Sequence, residues 1–256
     1  MEKLSVVIIT FNEEKNIGRC IDSVKNVADE IIVLDSFSAD KTCIIAKEKG
    51  ATVYQHAFSG YSEQKNKALE FAKNNYVLSL DADEALDGRL EASVLQAKGK
   101  FTSSGYTMNR CTNYCGKFIR HGSWYPDKKL RLFDKRVAKW TGHLVHEEVE
   151  LTTAGTLTIH LKGDILHYSF YTIEEHLSRI EQYSTLSAQA YFTKGKRTSW
   201  FKKLFNPAWN FITGYILRLG FLDGRAGYRI ARISALSTFL KYKKLGDLWE
   251  EKKIKN

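Results

Sequence analysis

Proline is nearly absent from this 256-residue chain, which has 2. No Ser- or Gly-rich run compensates, so no flexible linker marks off one part from another. Internal repeats and low-complexity tracts are lacking too, which excludes solenoids and arrays. The 4 cysteines are too few to staple a chain of this length. Cys20 and Cys43 fall in predicted helices as core thiols. Cys111 and Cys115 lack the second Cys or His pair that a zinc site needs. This usage fits a reducing cytoplasm. Met1-Glu2-Lys3 leads straight into a strand, so no signal peptide is expected. The longest apolar stretch, Leu204 to Leu217, is 14 residues, short of the roughly 20 that cross a bilayer. The first strand is not followed by G-x-G-x-x-G, which disfavours a dinucleotide site.

What is present is ample core material, 43% hydrophobic, enough for one large domain or one domain with a small appendage. Charge is unevenly placed. Residues 194–256 hold 15 Lys and Arg against 4 Asp and Glu, whereas the first 193 hold 24 against 25. The net +10 therefore belongs to the last quarter.

The first half alternates strand and helix. Leu4–Thr10, Glu30–Asp35, Ala51–Gln55 and Tyr76–Leu80 read as strands. Glu14–Lys25, Ser38–Lys49 and Tyr61–Asn74 read as the helices between them. Crossovers of this length imply a parallel sheet, whose ligands bind outside the carboxyl ends of its strands. Those ends are Thr10-Phe11-Asn12-Glu13, Asp35-Ser36-Phe37-Ser38 and Asp81-Ala82-Asp83-Glu84. All carry small polar or acidic groups able to meet ribose hydroxyls and a base. Asn12 and Ser38 also suit helix capping. Asp81 and Asp83, spaced i, i+2, are either solvated turn residues or hard oxygen ligands for Mg²⁺ or Mn²⁺, which in turn hold phosphates.

In order and spacing, Val7 to Ile17, Ile32 to Thr42 and Asp81 to Glu84 resemble the family-2 glycosyltransferases. Three later stretches are similar to the branch containing lipopolysaccharide-core β-1,4-glucosyltransferases of the WaaE/KdtX and LgtF type. They are Gly60 to Asn66, Lys129 to Phe133 and His143 to Glu147, with Gly220 to Gly224 near the end. The resemblance implies the α/β GT-A fold, a Rossmann-like, mixed, mostly parallel sheet flanked by helices, here followed by a helical basic C-terminal extension. It divides the chain at 1–100 (nucleotide-sugar half), 101–170 (acceptor half) and 171–256 (extension).

It also implies roles. Thr10, Asn12, Glu13, Asp35 and Ser36 would hold the nucleotide, expected to be uridine diphosphate. Lys65 would neutralise a phosphate oxygen, unless it is an ordinary surface lysine. Asp83 would bind Mn²⁺ or Mg²⁺ directly. Asp81 would sit at the ribose or reach the metal through water. His167 would complete the shell, unless it merely closes a strand; His160 and His146 are weaker candidates. An inverting transfer needs a carboxylate to take the acceptor proton. Glu147 is preferred to Glu148, because in an extended segment Glu148 and Glu150 share the other face. Trp124, Arg131 and His146 are the acceptor-side candidates, with core packing the alternative for Trp124.

Within the extension, Asn206-Pro207 reads as a helix start. Aromatic and basic residues crowd the same span, which suggests contact with an anionic inner leaflet. The alternative is a helical subdomain with a solvated basic face. No nucleic-acid motif accompanies the charge. The expectation is a metal-dependent inverting glycosyltransferase, cytoplasmic and peripheral to the inner membrane face, moving a hexose, expected to be glucose, onto a lipid-linked glycan. A nucleotidyltransferase and a non-catalytic membrane adaptor are the rivals.

Overall fold

A computed structural model describes residues 2–142, 147–152 and 157–255. Its contacts divide the chain into two units, each made of two stretches, where three consecutive segments were expected. The first unit comprises residues 1–110 and 127–168, the second 111–126 and 169–256.

In the first unit the expected alternation is present: β1 (Leu4–Thr10), α1 (Ile17–Val24), β2 (Glu30–Asp35), α2 (Thr42–Glu48), β3 (Thr52–Gln55), α3 (Tyr61–Phe71) and β4 (Tyr76–Asp81). β5 (Glu84–Leu86), α4 (Gly88–Gly99) and β6 (Gly105–Tyr114) follow. After β7 (Lys117–Phe118) come β8 (Asp127–Asp134), β9 (Ala138–Thr141), β10 (Glu148–Leu151) and β11 (Ile159–Phe170). The main sheet runs β3-β2-β1-β4-β8-β6-β11-β5. β1 lies parallel to β2 and β4, and β2 to β3, whereas β8 is antiparallel to both β4 and β6. The sheet is therefore mixed, with the strands of its parallel half joined by helical crossovers. β9 and β10 form a separate antiparallel pair.

Every residue of β1 is buried, because the sheet is covered on both faces. Leu4, Val6 and Ile8 pack with Ile17, Cys20, Ile21 and Val24 of α1 and with Leu90 and Val94 of α4. Val7 and Ile9 point the other way, against Ala68 and Leu69 of α3 and Phe133 and Trp140. Each fully buried aliphatic side chain here is worth roughly 1.5–3 kcal/mol. The two layers hold the carboxyl ends of β1, β2 and β4 in one row.

In the second unit β7 pairs with the last residues of β6. α5 (Ile173–Thr193) opens on a capping box of Thr172 and Glu175. α6 (Trp200–Phe211) and α7 (Gly224–Lys255) complete it, as the expected helical, basic extension. Pro207 does not start a helix. It lies inside α6, whose cap is Ser199, accepting from the Lys202 amide. A π-helical turn, Ile212–Leu217, follows. The Gly220 to Gly224 stretch has a packing role. Asp223 is buried, and its carboxylate accepts from the amides of Arg120 and His121 at 3.1 and 2.8 Å. A β-carbon on Gly227 would stand 1.9 Å from the Gly220 carbonyl oxygen. Gly227→Ala is therefore expected to destabilise this unit by about 1–3 kcal/mol, the usual cost of overpacking, read as a lower thermal midpoint. An unchanged midpoint would mean the crossing can open freely. Among the described residues no helix is long and apolar enough to cross a membrane.

Candidate active site

The parallel register sets the site. Thr10 is paired with Asp35 across β1 and β2, and Ile9 with Asp81 across β1 and β4. The chain then turns at each tip. Asn12 takes a left-handed backbone (φ 53°), as does Phe37 (φ 62°), conformations that few non-glycine residues adopt. The two tips are tied together: the Asn12 amide donates to Ser38 Oγ at 2.8 Å, and Asn12 Oδ1 accepts from the Ala39 amide at 2.9 Å. The Glu13 amide donates to Thr42 Oγ1 at 2.8 Å, and Glu13 Oε2 accepts from Asn16.

Asp35 is fully buried. Burial alone would push its carboxyl up, but donors from Ser38 and Gln55 outweigh that and hold it below the usual range. Ser36 Oγ accepts from Gln64 Nε2 at 3.0 Å. Thr10 Oγ1 is buried with no hydrogen-bond partner among the described residues, a polar group that a ligand could satisfy.

Asp81 ends β4 beside a chain of alternating charges. Lys65 Nζ lies 2.9 Å from Asp81 Oδ1 and 3.4 Å from Glu147 Oε1. On the other side, Arg131 donates to Asp81 Oδ2 at 3.1 Å and to Glu84 Oε1 at 3.0 Å. Burial would raise the Asp81 carboxyl, yet the Lys65 and Arg131 charges override it and keep it ionised far below the ordinary range. Burial would likewise lower Arg131, but Glu84 and Asp81 raise it. Lys65 and Arg131 both lie over the Trp140 ring, at 4.4 and 5.3 Å from its centre. α3 supplies this support. Ser62, Gln64 and Lys65 are all buried, and Asn66 exchanges two hydrogen bonds with the Trp140 backbone.

Thus Lys65, expected at a phosphate, commits its charge to two carboxylates from a position 1% exposed. Arg131, expected to face the acceptor, is buried beside Asp81 and Glu84, whose carboxylates neutralise its charge there. Glu84 stands in the acidic stretch already singled out, but its pairing with Arg131 is not legible there, and Trp140 carries no obvious mark in the sequence. For Lys65 the available signal was the consecutive polar run Gln64-Lys65-Asn66 within an otherwise ordinary helix.

Two turns of chain bring Asp83 to His167. β5 pairs antiparallel with β11, placing Glu84 opposite His167, and His167 Nε2 lies 3.2 Å from Asp83 Oδ2. One carboxylate oxygen and one imidazole nitrogen at a partly exposed rim fit a divalent cation that keeps other ligand positions open. Asp81 fits less well as a direct ligand, since two cations already share it. Among the described residues no group of three His, Cys, Asp or Glu side chains gathers as a closed protein cage would.

Glu147 is half-buried, whereas Glu148 and Glu150 of β10 are both exposed. His160 stands at 3.2 Å from Thr107 Oγ1. Trp124 belongs to the second unit, where it packs on Phe170, Tyr114 and His176; this core contact is the alternative foreseen for it. His146 lies outside the described residues.

A model of Glycosyl transferase family 2 matches residues 5–148. An uncharacterized glycosyltransferase of Rickettsia prowazekii is 32% identical over 97% of this chain and 88% of its own length. The lipopolysaccharide core biosynthesis glycosyltransferase LpsC of Rhizobium meliloti is 28% identical over 94% of this chain and 91% of its own. Among solved structures, glucosyl-3-phosphoglycerate synthase of Mycobacterium tuberculosis, in complex with Mn²⁺, uridine diphosphate and glucosyl-3-phosphoglycerate, is 25% identical over 44% of each chain. Its TM-score is 0.38.

Proposed function

Because this chain belongs to glycosyl transferase family 2, we propose that it moves a hexose from a uridine-diphosphate sugar to a hydroxyl of a lipid-linked glycan, with inversion. The similarity to a lipopolysaccharide core biosynthesis glycosyltransferase favours a lipopolysaccharide core acceptor, and the resemblance of Gly60 to Asn66, Lys129 to Phe133 and His143 to Glu147 to the glucosyltransferase branch favours glucose as the sugar. The observation that carries the site assignment is the buried Lys65 ammonium. It joins Asp81, at the nucleotide end of the sheet, to Glu147.

In this reading Thr10, Asn12, Glu13, Asp35 and Ser36 line the nucleotide side, and the unpartnered Thr10 hydroxyl is free to bond the donor. Asp83 and His167 would hold Mn²⁺ or Mg²⁺, which would supply Lewis-acid stabilisation to the departing diphosphate. Glu147 takes the acceptor hydroxyl proton while that oxygen bonds the anomeric carbon. The bond from that carbon to the diphosphate oxygen breaks, and its electron pair leaves with the diphosphate. An α-linked donor then yields a β-linkage. Lys65 fixes the Glu147 carboxylate and keeps it next to an ionised Asp81. The family match disfavours the nucleotidyltransferase alternative.

The direct test is a panel of nucleotide sugars, read by protection against thermal unfolding and by release of nucleoside diphosphate, with and without Mn²⁺. Protection by a uridine-diphosphate hexose, with nucleoside diphosphate released, supports the reading; pyrophosphate release from nucleoside triphosphates would replace it. Asp83→Ala is expected to lose both Mn²⁺-dependent turnover and the extra thermal protection that Mn²⁺ gives with uridine diphosphate. If both survive, Asp83 is not a metal ligand.

A further inference from the structure

Helix α6 is built inside out for a protein-packed helix. Phe201, Leu204, Phe205, Trp209, Ile212 and Ile216 recur at helical spacing through α6 and the π-turn, and all six are exposed. Lys203, Asn206 and Asn210 on the opposite side are half-buried, and α6 packs along α7. A helix fitted to a core shows the reverse. No residue of α6 is buried, and Trp200 at its start is 74% exposed. The outward rings are ordered: Phe201 stacks on Phe205 at 5.1 Å and 11°, and Phe205 on Trp209 at 6.2 Å and 6°.

The surrounding charge has one sign. From Lys194 to Arg232 there are 9 Lys and Arg against a single acid, Asp223, and Asp223 is buried. Lys202, Arg218, Arg225 and Arg229 are exposed. A contiguous apolar face of this kind on a soluble surface marks an interaction site.

We propose that the second unit docks on an anionic lipid surface, with α6 lying in the interfacial plane and its aromatic face inserted. The face from Phe201 to Ile216 is about 22 Å long at 1.5 Å per residue, suited to lying along a bilayer. Aromatic and aliphatic side chains enter the headgroup boundary while flanking Lys and Arg meet anionic headgroups. A second copy of this chain would bring the same unbalanced positive charge against itself, which disfavours it as the occupant. The inference stands apart from the proposed reaction, since docking requires neither donor nor acceptor.

The test is flotation of the full-length protein with vesicles of phosphatidylcholine, alone or mixed with phosphatidylglycerol. The native chain should float with the mixed vesicles and not with phosphatidylcholine alone, and high salt should release it. Tryptophan emission should shift to shorter wavelength on binding. Phe205→Glu combined with Trp209→Glu should lower binding at least about tenfold, with circular dichroism and donor-induced thermal protection unchanged. Should that pair disturb folding, Leu204→Asn with Ile216→Asn gives the same reading. Failure of the native chain to float on phosphatidylglycerol vesicles overturns the proposal. So does undiminished flotation of a folded variant. A native dimer that these substitutions dissociate, with no vesicle binding, would make a second copy the occupant instead.

Discussion

Glu147→Gln is expected to bind the donor as the native chain does while losing transfer by about 10²–10⁴-fold, the range for removal of a general base. The amide keeps the shape of the side chain and an oxygen for Lys65, now 3.4 Å from the carboxylate, but cannot hold a proton. Titration with uridine diphosphate reports binding, and single-turnover product formation reports transfer. Glu148→Gln is the internal control, because Glu148 is exposed on β10 on the same side as Glu150. If Glu148→Gln abolishes transfer and Glu147→Gln does not, the base is Glu148.

Lys65→Met should be the most destabilising change in the first unit, by about 3–5 kcal/mol, because removing one partner leaves a buried charge uncompensated. Methionine preserves the aliphatic stem against Trp140 and removes the ammonium 2.9 Å from Asp81. Burial alone would raise the Asp81 carboxyl, but Lys65 first and Arg131 next hold it well below its ordinary value. A carboxyl depressed in the folded state contributes stability above its unfolded value, about 4, and loses it as pH falls further. The native chain's advantage over Lys65→Met should therefore be full above about pH 4 and shrink below it. Thermal melts of both proteins across that range check this; parallel curves would mean that Lys65 does not hold Asp81 ionised. Lys65→Arg should recover part of the stability and less of the activity, since a planar guanidinium does not replace a compact ammonium between two carboxylates.

The strand tips were readable in advance because parallel strands share a direction. Once β1, β2 and β4 are recognised, their carboxyl ends must lie side by side, and with them Thr10, Asp35 and Asp81. The pairing of Asp83 with His167 rested on family resemblance, because β5 and β11 are separated by over seventy residues and nothing local predicts their register. The ion-pair partners of Lys65 and Arg131 were hidden for a related reason. A lysine in a polar helical run, or an arginine in a basic strand, looks solvent-facing until the carboxylates that neutralise it are seen. Those carboxylates come from β4, β5 and the segment before β10.

In the tail the presence of helices was legible and the boundary of α6 was not. Pro207 satisfies the preference for the first helical position, but Ser199 offers a side-chain acceptor to the Lys202 amide and wins. The crowding of aromatic and basic residues in this span was legible too, yet it does not tell whether the apolar face of α6 turns inward. Its outward direction follows from the half-buried Lys203, Asn206 and Asn210 on the other face.

The position of Trp140 carries an optical consequence. It is the sole tryptophan of the first unit; Trp124, Trp200, Trp209 and Trp249 all belong to the second. Replacing those four with phenylalanine would leave one emitter, set against Lys65 and Arg131. Its intensity would follow the first unit alone through a denaturant titration, while far-ultraviolet ellipticity follows both. Coincident transitions would make the chain a single cooperative folding system, and separated ones would give each unit its own free energy of unfolding.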